Sequence, residues 1–351
     1  MRENEEFLKL EKLIKYFPLR GGILKREVAQ VKAVDGVDLI IKQGETMGLV
    51  GESGCGKSTL ARTILRLIEP TSGEIFFQGK SITKLRRNEM RKLRREMQIV
   101  FQNPYASLDP RMTVGDIVGE ALTFHKIVRG GKRRQRVAEL LMQVGLREEA
   151  MNRYPHEFSG GQQQRISMAR ALSMNPKFII ADEPLSSLDV SIQAQILNLL
   201  VELQKKFNLT YLFIAHDLRM VEHISDRIAV MYLGKIVELA SSKTLYFRHH
   251  HPYSYSLLSA VPLPNPKARL GKERVLLQGD VPSPINPPTG CVFHTRCRYA
   301  TDICKVEVPQ LRQTDPDDPQ HLTACHHAEE VSKTYDTKRI IKDLEVGVAS
   351  M

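Results

Sequence analysis

The sequence predicts an α/β fold with a parallel sheet at its core. One observation is the stretch at residues 51–58, Gly-Glu-Ser-Gly-Cys-Gly-Lys-Ser, which fits the phosphate-loop pattern G-x-x-x-x-G-K-[ST]. A second is that short apolar stretches typical of buried strands alternate with amphipathic helices along the first two thirds of the chain. A third is that polar or acidic residues follow several of these strands, where open parallel sheets bind their ligands.

Residues 51–58, which we call the phosphate loop, are preceded by a predicted strand and followed by a predicted helix. Glycines let the backbone turn its N–H groups toward phosphate oxygens, and the helix N-terminus adds partial positive charge. Lys57 is expected to reach the β- and γ-phosphates, and the Ser58 hydroxyl to ligate Mg²⁺. The residues predicted to bind ATP here are Gly51, Ser53, Gly54, Cys55, Gly56, Lys57, Ser58 and Thr59.

Ahead of the phosphate loop, the sequence predicts a first strand, a basic glycine-containing loop at residues 18–32, and a second strand at residues 33–41. An aromatic side chain in this region is well placed to stack on a purine base. Phe17 is our candidate, with Tyr16 second. An ordinary core role carries equal weight for both.

Composition limits the class of protein. The chain has 351 residues and 42% hydrophobic residues, and no apolar run approaches the roughly 18 residues of a membrane span. The charged N-terminus predicts no signal peptide, so we expect the protein in the cytosol. The net charge is +11, concentrated at residues 84–95 and 126–136. We favour solvated helix faces for these stretches over contacts with lipid headgroups or an acidic partner.

Three further motifs follow the phosphate loop. Gln102 comes directly after a predicted strand, and helices with an apolar stripe then occupy residues 113–150. A Ser-Gly-Gly-Gln turn opens the next predicted helix and offers a second anion-binding N-terminus. This turn, which we call the signature turn, comprises Ser159, Gly160, Gly161 and Gln162.

Two apolar strands then end in chemically active residues. The first ends in Asp182 and Glu183, which suit Mg²⁺ binding and orientation or deprotonation of an attacking water, respectively. Successive strand residues point to opposite faces, so we expect the two carboxylates to take different roles. The second strand ends at His216, a residue expected to touch the γ-phosphate.

The fixed order of phosphate loop, Gln102, signature turn, Asp182-Glu183 and His216 resembles that of the ATP-binding-cassette ATPases over roughly residues 6–245. The family's common signature is Leu-Ser-Gly-Gly-Gln, and Phe158 here takes the place of its leucine. The resemblance implies a P-loop fold with a parallel-sheet core, an antiparallel β subdomain and a helical subdomain. It also implies a head-to-tail dimer in which each ATP lies between the phosphate loop of one subunit and the signature turn of the other. Ser58, Gln102 and Asp182 would hold Mg²⁺, Glu183, Gln102 and His216 would be catalytic, and Asp189 would lie at the dimer seam.

The chain also resembles, more narrowly, the ATPase subunits of oligopeptide and dipeptide importers, and in particular the second of their two paralogous ATPases. Three stretches carry this resemblance: residues 101–111, residues 251–262, and the cysteine-bearing tail. It implies a paralogous ATPase partner, two membrane permease subunits and an extracytoplasmic peptide-binding protein. The implied location is the cytoplasmic face of the membrane, as a peripheral subunit. We divide the chain into a cassette at 1–250, with its helical subdomain at about 103–170, and an extension at 251–351.

The extension begins with a proline-rich stretch at residues 261–290, read as a linker and packing segment. Four cysteines follow it, with five, six and twenty residues between them: Cys291, Cys297, Cys304 and Cys325. Four thiols in a cytosolic segment indicate a metal site before disulfides, and the absence of a C-x-x-C spacing weakens zinc. The family resemblance favours a structural [4Fe–4S] cluster, with zinc and no metal as alternatives. Four nearby histidines are possible substitute ligands: His294, His321, His326 and His327.

Two other functions remain open from the sequence. The first is a soluble cassette ATPase acting on nucleic acid or ribosomes, which the charge permits. Such proteins usually carry two cassettes or a long insertion, for which the chain between Lys57 and Ser159 leaves no room, so no nucleic acid partner is expected. The second is an importer of nickel or sugar, because the cargo is selected by other subunits. A zinc-dependent binding module is the corresponding alternative for the extension.

Overall fold

The computed structural model describes residues 6–21, 26–259 and 279–334, and it contains two β-sheets and a helical region. The strand that precedes the phosphate loop has a neighbouring strand on each side in the larger sheet, and the smaller sheet is antiparallel. The predicted α/β fold, with its parallel core, antiparallel β part and helical part, is therefore confirmed. None of the described helices combines the length and apolar character needed to span a bilayer.

The antiparallel sheet is dominated by one long hairpin, which corrects the predicted loop at residues 18–32. Strand β1 runs over Glu6–Gly21 and β2 over Arg26–Lys42, and pairing across them continues to Gly21 and Arg26. Bulges interrupt the register, so the side-chain alternation that predicts strands is broken there. The sheet has the order β2-β1-β4-β5 and is completed by β4 (Ser72–Phe77) and β5 (Lys80–Ser81).

The larger sheet has a core of five mutually parallel strands in the order β9-β3-β8-β7-β6. Every residue of β3, β7 and β8 is buried, which explains their continuous apolar sequences. The strands are β3 (Thr46–Val50), β6 (Met97–Val100), β7 (Phe178–Asp182), β8 (Thr210–Ile214) and β9 (Arg227–Tyr232).

Helices flank this sheet and form a separate layer beside β6. The helical layer consists of α3 (Pro104–Ser107), α4 (Val114–Phe124), α5 (Gly131–Gln143), α6 (Gly160–Leu172) and two 3₁₀ turns, Glu148–Asn152 and Pro155–Glu157. Its core contains the predicted apolar stripe, with Ile117, Val118 and Leu140 almost fully buried. The other helices up to residue 259 are α1 (Lys57–Ile64), α2 (Arg87–Leu93), α7 (Val190–Phe207), α8 (Leu218–Ile224), α9 (Ser242–Phe247) and α10 (Pro252–Ser259).

The extension continues the larger sheet. Strand β10 (Lys235–Ser241) pairs antiparallel with β9, and two short strands of the extension, β12 (Leu322–Thr323) and β11 (Arg312–Gln313), follow it at the sheet edge. The other described elements are a 3₁₀ turn at His294–Arg296, α11 (Asp302–Val306) and α12 (Ala328–Thr334). The prolines at 262, 264 and 266 of the predicted linker lie outside the described residues, as do residues 335–351.

Candidate nucleotide-binding site

The phosphate loop connects β3 to α1, as predicted, and its glycines are sterically required. Gly56 precedes the helix with a φ of 111°, and a Cβ atom there would lie 2.0 Å from the carbonyl oxygen of Ala33. At Gly51 a Cβ atom would lie 2.2 Å from the carbonyl oxygen of Met231. No side chain fits at either position without moving the backbone, so β2 and β9 fix the path of the loop.

Lys57 lies inside the loop and is only 4% exposed. Its ammonium group donates hydrogen bonds to the carbonyl oxygens of Gly51, at 2.8 Å, and Glu52, at 3.0 Å. The buried charge is therefore held by two backbone carbonyl groups of the loop itself. The Cys55 side chain, by contrast, is buried behind the loop, and this burial raises the pKa of its thiol.

Ser58 and Asp182 form the predicted Mg²⁺-binding pair. The Ser58 hydroxyl donates to Asp182 Oδ1 at 2.8 Å, and Asp182 is 3% exposed. Burial raises the pKa of the Asp182 carboxyl, so a cation beside it would favour the ionised form. Two hard oxygen ligands next to the phosphate loop fit Mg²⁺.

Three groups converge on Glu183. Gln102 Nε2 donates to Glu183 Oε2 at 3.0 Å, His216 Nδ1 lies 3.6 Å from the same oxygen, and Lys57 Nζ lies 4.0 Å from Oε1. Gln102, Glu183 and His216 follow the carboxyl ends of β6, β7 and β8, and Lys57 lies in the loop after β3. These four strands are consecutive in the sheet, in the order β3-β8-β7-β6. Parallel strand order therefore brings together residues that are distant in sequence.

The expectation that Asp182 and Glu183 point to opposite faces is wrong. Asp182 is the last residue of β7, and Glu183 adopts a left-handed backbone with a φ of 46°. This conformation ends the strand alternation, so Asp182 contacts Ser58 while Glu183 contacts Gln102. Both carboxylates face the phosphate loop, with different partners.

The signature turn forms the N-terminus of α6. Ser159 Oγ accepts from the Gln162 backbone N–H at 3.4 Å, and Gln162 Oε1 accepts from the Ser159 N–H at 3.0 Å. This capping box holds Gly160 and Gly161 at the start of the helix, the position at which backbone N–H groups of helices generally bind anions. Ser159 and Gln162 are exposed, as are Asp189 and its neighbour Val190, the latter by 82%.

The two candidates for stacking on the base, Tyr16 and Phe17, are neighbours in β1 with different contacts. The Tyr16 hydroxyl donates to Asp35 Oδ1 at 2.5 Å, and burial together with this bond raises the pKa of Tyr16 to about 12. Phe17 is partly exposed in β1, with Lys15 Nζ 4.9 Å from its ring centre. Both rings are partly exposed, so Phe17 stays the first predicted stacking residue and Tyr16 the second.

Replacing Phe17 with Trp is expected to give a direct optical probe of nucleotide binding. The natural chain contains no Trp, so the new side chain would be the only one. Titration with ATP should quench its fluorescence, because an adenine stacked on indole alters the excited state. Phe17→Ala should weaken ATP binding by about 1–3 kcal/mol, the usual contribution of base stacking. Unchanged fluorescence and affinity in both variants would assign Phe17 to the core.

Sequence reasoning missed a set of contacts between the phosphate loop and residues of the extension, which meet at Glu52. Arg296 of the extension pairs with Glu52 through two contacts, Nη1–Oε2 at 2.7 Å and Nη2–Oε1 at 3.1 Å. The Glu52 backbone N–H also donates to the Tyr253 hydroxyl at 2.8 Å. Tyr253 packs with Tyr232 and Phe293 in one aromatic cluster. Glu52 and Arg296 are 244 residues apart, and no local pattern in the sequence connects them.

The four cysteines lie in one region of the extension. Cys291, Cys304 and Cys325 are buried, Cys297 is partly buried, and the Cys291 N–H donates to the Cys304 carbonyl at 2.8 Å. Burial, with smaller contributions from the other three thiols, raises the pKa of Cys325 to about 12. No three of the four sulfur atoms lie within 4.8 Å of one another.

The histidines predicted as substitute ligands have other partners. His294 Nδ1 lies 2.9 Å from the Cys291 carbonyl oxygen, His326 Nε2 lies 3.1 Å from the Glu307 carbonyl oxygen, and His327 Nε2 lies 2.8 Å from the Thr301 hydroxyl. His321 Nε2 contacts Glu238. Each of these rings thus has a hydrogen-bonding partner that is not a thiol.

Comparison with known proteins agrees with this geometry. The ABC transporter family model matches residues 34–186, and the model for the C-terminal region of oligopeptide/dipeptide transporters matches residues 237–304. A post-hydrolysis dimer of the ATP-binding cassette MJ0796, bound to ADP and Pi, is 32% identical, with a TM-score of 0.58, covering 67% of this chain and 98% of that one. Fold and site together define an ATP-binding cassette.

Two relatives indicate which kind of ATP-binding cassette this chain is similar to. The oligopeptide transport ATP-binding protein AppF of Bacillus subtilis is 53% identical over 324 residues, 92% of this chain and 98% of that protein. A putative peptide import ATP-binding protein of Brucella ovis is 55% identical over 297 residues, 85% of this chain and 92% of that protein. The chain belongs to the family of ATP-binding subunits of oligopeptide and dipeptide ABC transporters.

Proposed function

We propose that the chain hydrolyses ATP to power the import of dipeptides or oligopeptides through an ABC transporter. The observation that carries the proposal is that the functional side chains lie together. Asp182 contacts Ser58 of the phosphate loop, and Glu183 lies close to Lys57 of the same loop. Gln102 and His216 lie on the other side of the same carboxylate, at Glu183 Oε2. The relatives named above are peptide transport proteins. They give no support to the alternatives of a nucleic acid or ribosome ATPase or of a nickel or sugar importer.

Each residue has a definable task in hydrolysis. Lys57 would neutralise charge on the β- and γ-phosphates, and Ser58, Asp182 and Gln102 would hold Mg²⁺, which stabilises charge developing on the phosphate oxygens. Glu183 would accept a proton from the attacking water or orient it. His216 is 61% exposed and lies beside Glu183, where its ring can reach both that carboxylate and a γ-phosphate.

The working form in this proposal is a head-to-tail dimer with a paralogous ATPase subunit. Four residues of the proposed dimer surface are exposed in the single chain: Ser159, Gln162, Asp189 and Val190. A partner subunit would cover them in the dimer. The exposure of Ser159, Gln162 and Asp189 leaves these residues accessible to a second subunit. The signature turn would then bind the γ-phosphate of the ATP held by the partner.

The remaining partners follow from the family. Two membrane permease subunits would receive the dimer on the cytoplasmic face of the membrane, and an extracytoplasmic binding protein would deliver the peptide. The test is to reconstitute the chain with its second ATPase, its permeases and its binding protein in proteoliposomes, and to measure ATP-dependent uptake of labelled peptides. Hydrolysis without uptake of any peptide would contradict the proposed cargo and leave the ATPase function intact.

We further propose that the four cysteines hold a [4Fe–4S] cluster with a structural role. The thiols are clustered and largely buried, which suits four thiolate ligands in a cytosolic protein. In a tetrahedral zinc site with Zn–S bonds of about 2.3 Å, sulfur atoms lie about 3.8 Å apart. In every group of three, at least one pair of sulfur atoms is farther apart than 4.8 Å, which is wider than a zinc site and leaves room for the larger cluster. Zinc and a metal-free segment are the other outcomes of the test.

Anaerobic purification followed by metal analysis is expected to give about four iron and four sulfide per chain. Cys297→Ser should lose this content and the accompanying visible absorption, because it removes one of four ligands. The matched control is Cys55→Ser in the phosphate loop, which should retain the cluster. One zinc per chain without iron would support the zinc alternative, and no metal at all would leave the cysteines as packing residues.

A further inference from the structure

A second cluster of metal-ligating side chains contains none of the four cysteines and none of the residues of the nucleotide site. One ligand atom from each of His250, Asp315 and His321 lies within 4.8 Å of the other two, and no other such trio occurs in the described part of the chain. All three residues are buried, with exposures of 5%, 3% and 0%. The two imidazole rings are 4.2 Å apart at their centres.

The hydrogen bonds around the cluster define which atoms face inward. Glu238, on β10, accepts hydrogen bonds from the backbone N–H groups of His250, at 2.5 Å, and His251, at 3.2 Å, and its Oε1 lies 2.7 Å from His321 Nε2. A carboxylate accepts at this distance, so His321 Nε2 carries a proton and is not the nitrogen offered to a metal. His321 Nδ1 is then the nitrogen that faces Asp315.

Two buried polar atoms in this cluster have no hydrogen-bond partner: Asp315 Oδ2 and His321 Nδ1. They lie 3.7 Å apart, which is too long for a hydrogen bond between them. In a tetrahedral site with Zn–N and Zn–O bonds of about 2.0–2.1 Å, neighbouring ligand atoms lie about 3.4 Å apart. The gap thus fits a shared cation better than a shared proton.

His250, like His321, has one ring nitrogen engaged by a neighbouring side chain. His250 Nδ1 lies 2.9 Å from the Thr314 hydroxyl, which in turn donates to Thr323 at 3.0 Å, so His250 Nε2 is left for coordination. Metal-binding histidines typically have their other ring nitrogen bonded to a carboxylate or another fixed group, as both rings do here. Arg248 is a positive charge beside the cluster: its Nη2 lies 3.5 Å from Asp315 Oδ2, and its side chain is 45% exposed.

We propose that His250, Asp315 and His321 bind one divalent transition-metal ion, with Zn²⁺ the ion to be tested. The ligands come from three places: the connection between α9 and α10, the segment after β11, and the residue before β12. A metal there would join the extension to the cassette through the residues that surround Glu238. Its role would be structural, because the ligands are buried.

Co²⁺ titration of the full-length chain, purified with its cysteine site intact, tests the proposal. Co²⁺ bound by nitrogen and oxygen gives weak visible bands, whereas thiolate ligands add intense near-ultraviolet absorption, so the two sites are distinguishable. We expect one additional equivalent of Co²⁺ with visible bands and no thiolate absorption. Absence of this equivalent, or thiolate absorption accompanying all of the bound Co²⁺, would overturn the proposal.

Asp315→Asn should lose the additional equivalent, and Asp317→Asn is its matched control. Asp317 also contacts Arg248, at 3.1 Å, but is largely exposed and offers no ligand to the cluster. Zn²⁺ should likewise raise the melting temperature of the wild type and of Asp317→Asn, but not of Asp315→Asn. Equal Co²⁺ binding by Asp315→Asn and Asp317→Asn would refute the site.

If Asp315→Asn does not fold by circular dichroism, Thr314→Val provides the second test. It removes the hydroxyl beside His250 Nδ1 and leaves all three ligands in place. Loss of such a supporting group is expected to weaken Zn²⁺ binding by about 10–100-fold. Unchanged affinity in this variant would mean that His250 is not held as a ligand, and would overturn the proposal.

Discussion

Glu183→Gln is expected to reduce the rate of ATP hydrolysis by ~10²–10⁴-fold while ATP binding persists. The amide keeps the size of the side chain and its position near Gln102 and His216, but it cannot accept a proton from water. ATP should therefore remain in the site, and the head-to-tail dimer should accumulate. Phosphate release measures the rate, and size-exclusion chromatography with Mg²⁺ and ATP measures the dimer.

The matched control is Glu157→Gln, an exposed carboxylate near the signature turn that bonds to Arg153 and lies outside the phosphate loop. This variant should hydrolyse ATP at the wild-type rate. His216→Ala should also slow hydrolysis, because the ring lies 3.6 Å from the same carboxylate oxygen. A wild-type rate in Glu183→Gln would exclude this carboxylate from the chemical step.

Arg296→Met is expected to weaken ATP binding by on the order of tenfold or more, although Arg296 belongs to the extension. Its guanidinium is 6% exposed and holds the Glu52 carboxylate through two contacts, which fixes a residue of the phosphate loop. Charged hydrogen bonds contribute about 1.5–3 kcal/mol each, and 1.4 kcal/mol corresponds to a tenfold change in affinity. Isothermal titration of the purified chain with ATP is the measurement.

Arg298→Met serves as the control, because Arg298 is an exposed neighbour that contacts Tyr299 rather than the loop. Glu52→Gln should reproduce the effect of Arg296→Met, and combining the two should add little, since they remove the same interaction. Equal ATP affinity in the wild type and Arg296→Met would show that the pair does not hold the loop in its binding conformation. A melting temperature close to that of the wild type would confirm that any loss is local.

The residues of the nucleotide site could be predicted because each lies in a short contiguous motif. Gln102, Glu183 and His216 are also predicted to meet, because each follows a strand of one parallel sheet and such strands end at one edge. Their individual contacts could not be predicted. Glu183 has a left-handed backbone, so its carboxylate lies on the phosphate-loop side together with that of Asp182. This conformation depends on tertiary structure rather than on the sequence of β7.

Long-range pairing accounts for most of what sequence reasoning missed. The hairpin of β1 and β2 is stabilised by backbone bonds between strands, and its basic composition resembles that of a loop. Strands β11 and β12 have two residues each, too few to show a strand periodicity. The ion pair of Glu52 and Arg296 joins two segments that share no motif.

The addition of β12 to the edge of the larger sheet has a consequence for solubility. Strand β10 would otherwise be the last strand of that sheet and would present unpaired N–H and C=O groups beside apolar residues such as Val237 and Leu239. Exposed edges of this kind recruit strands from other molecules and promote aggregation. By pairing with β10 at Glu238 and Leu239, β12 protects the edge, so a chain shortened before residue 322 would be prone to self-association.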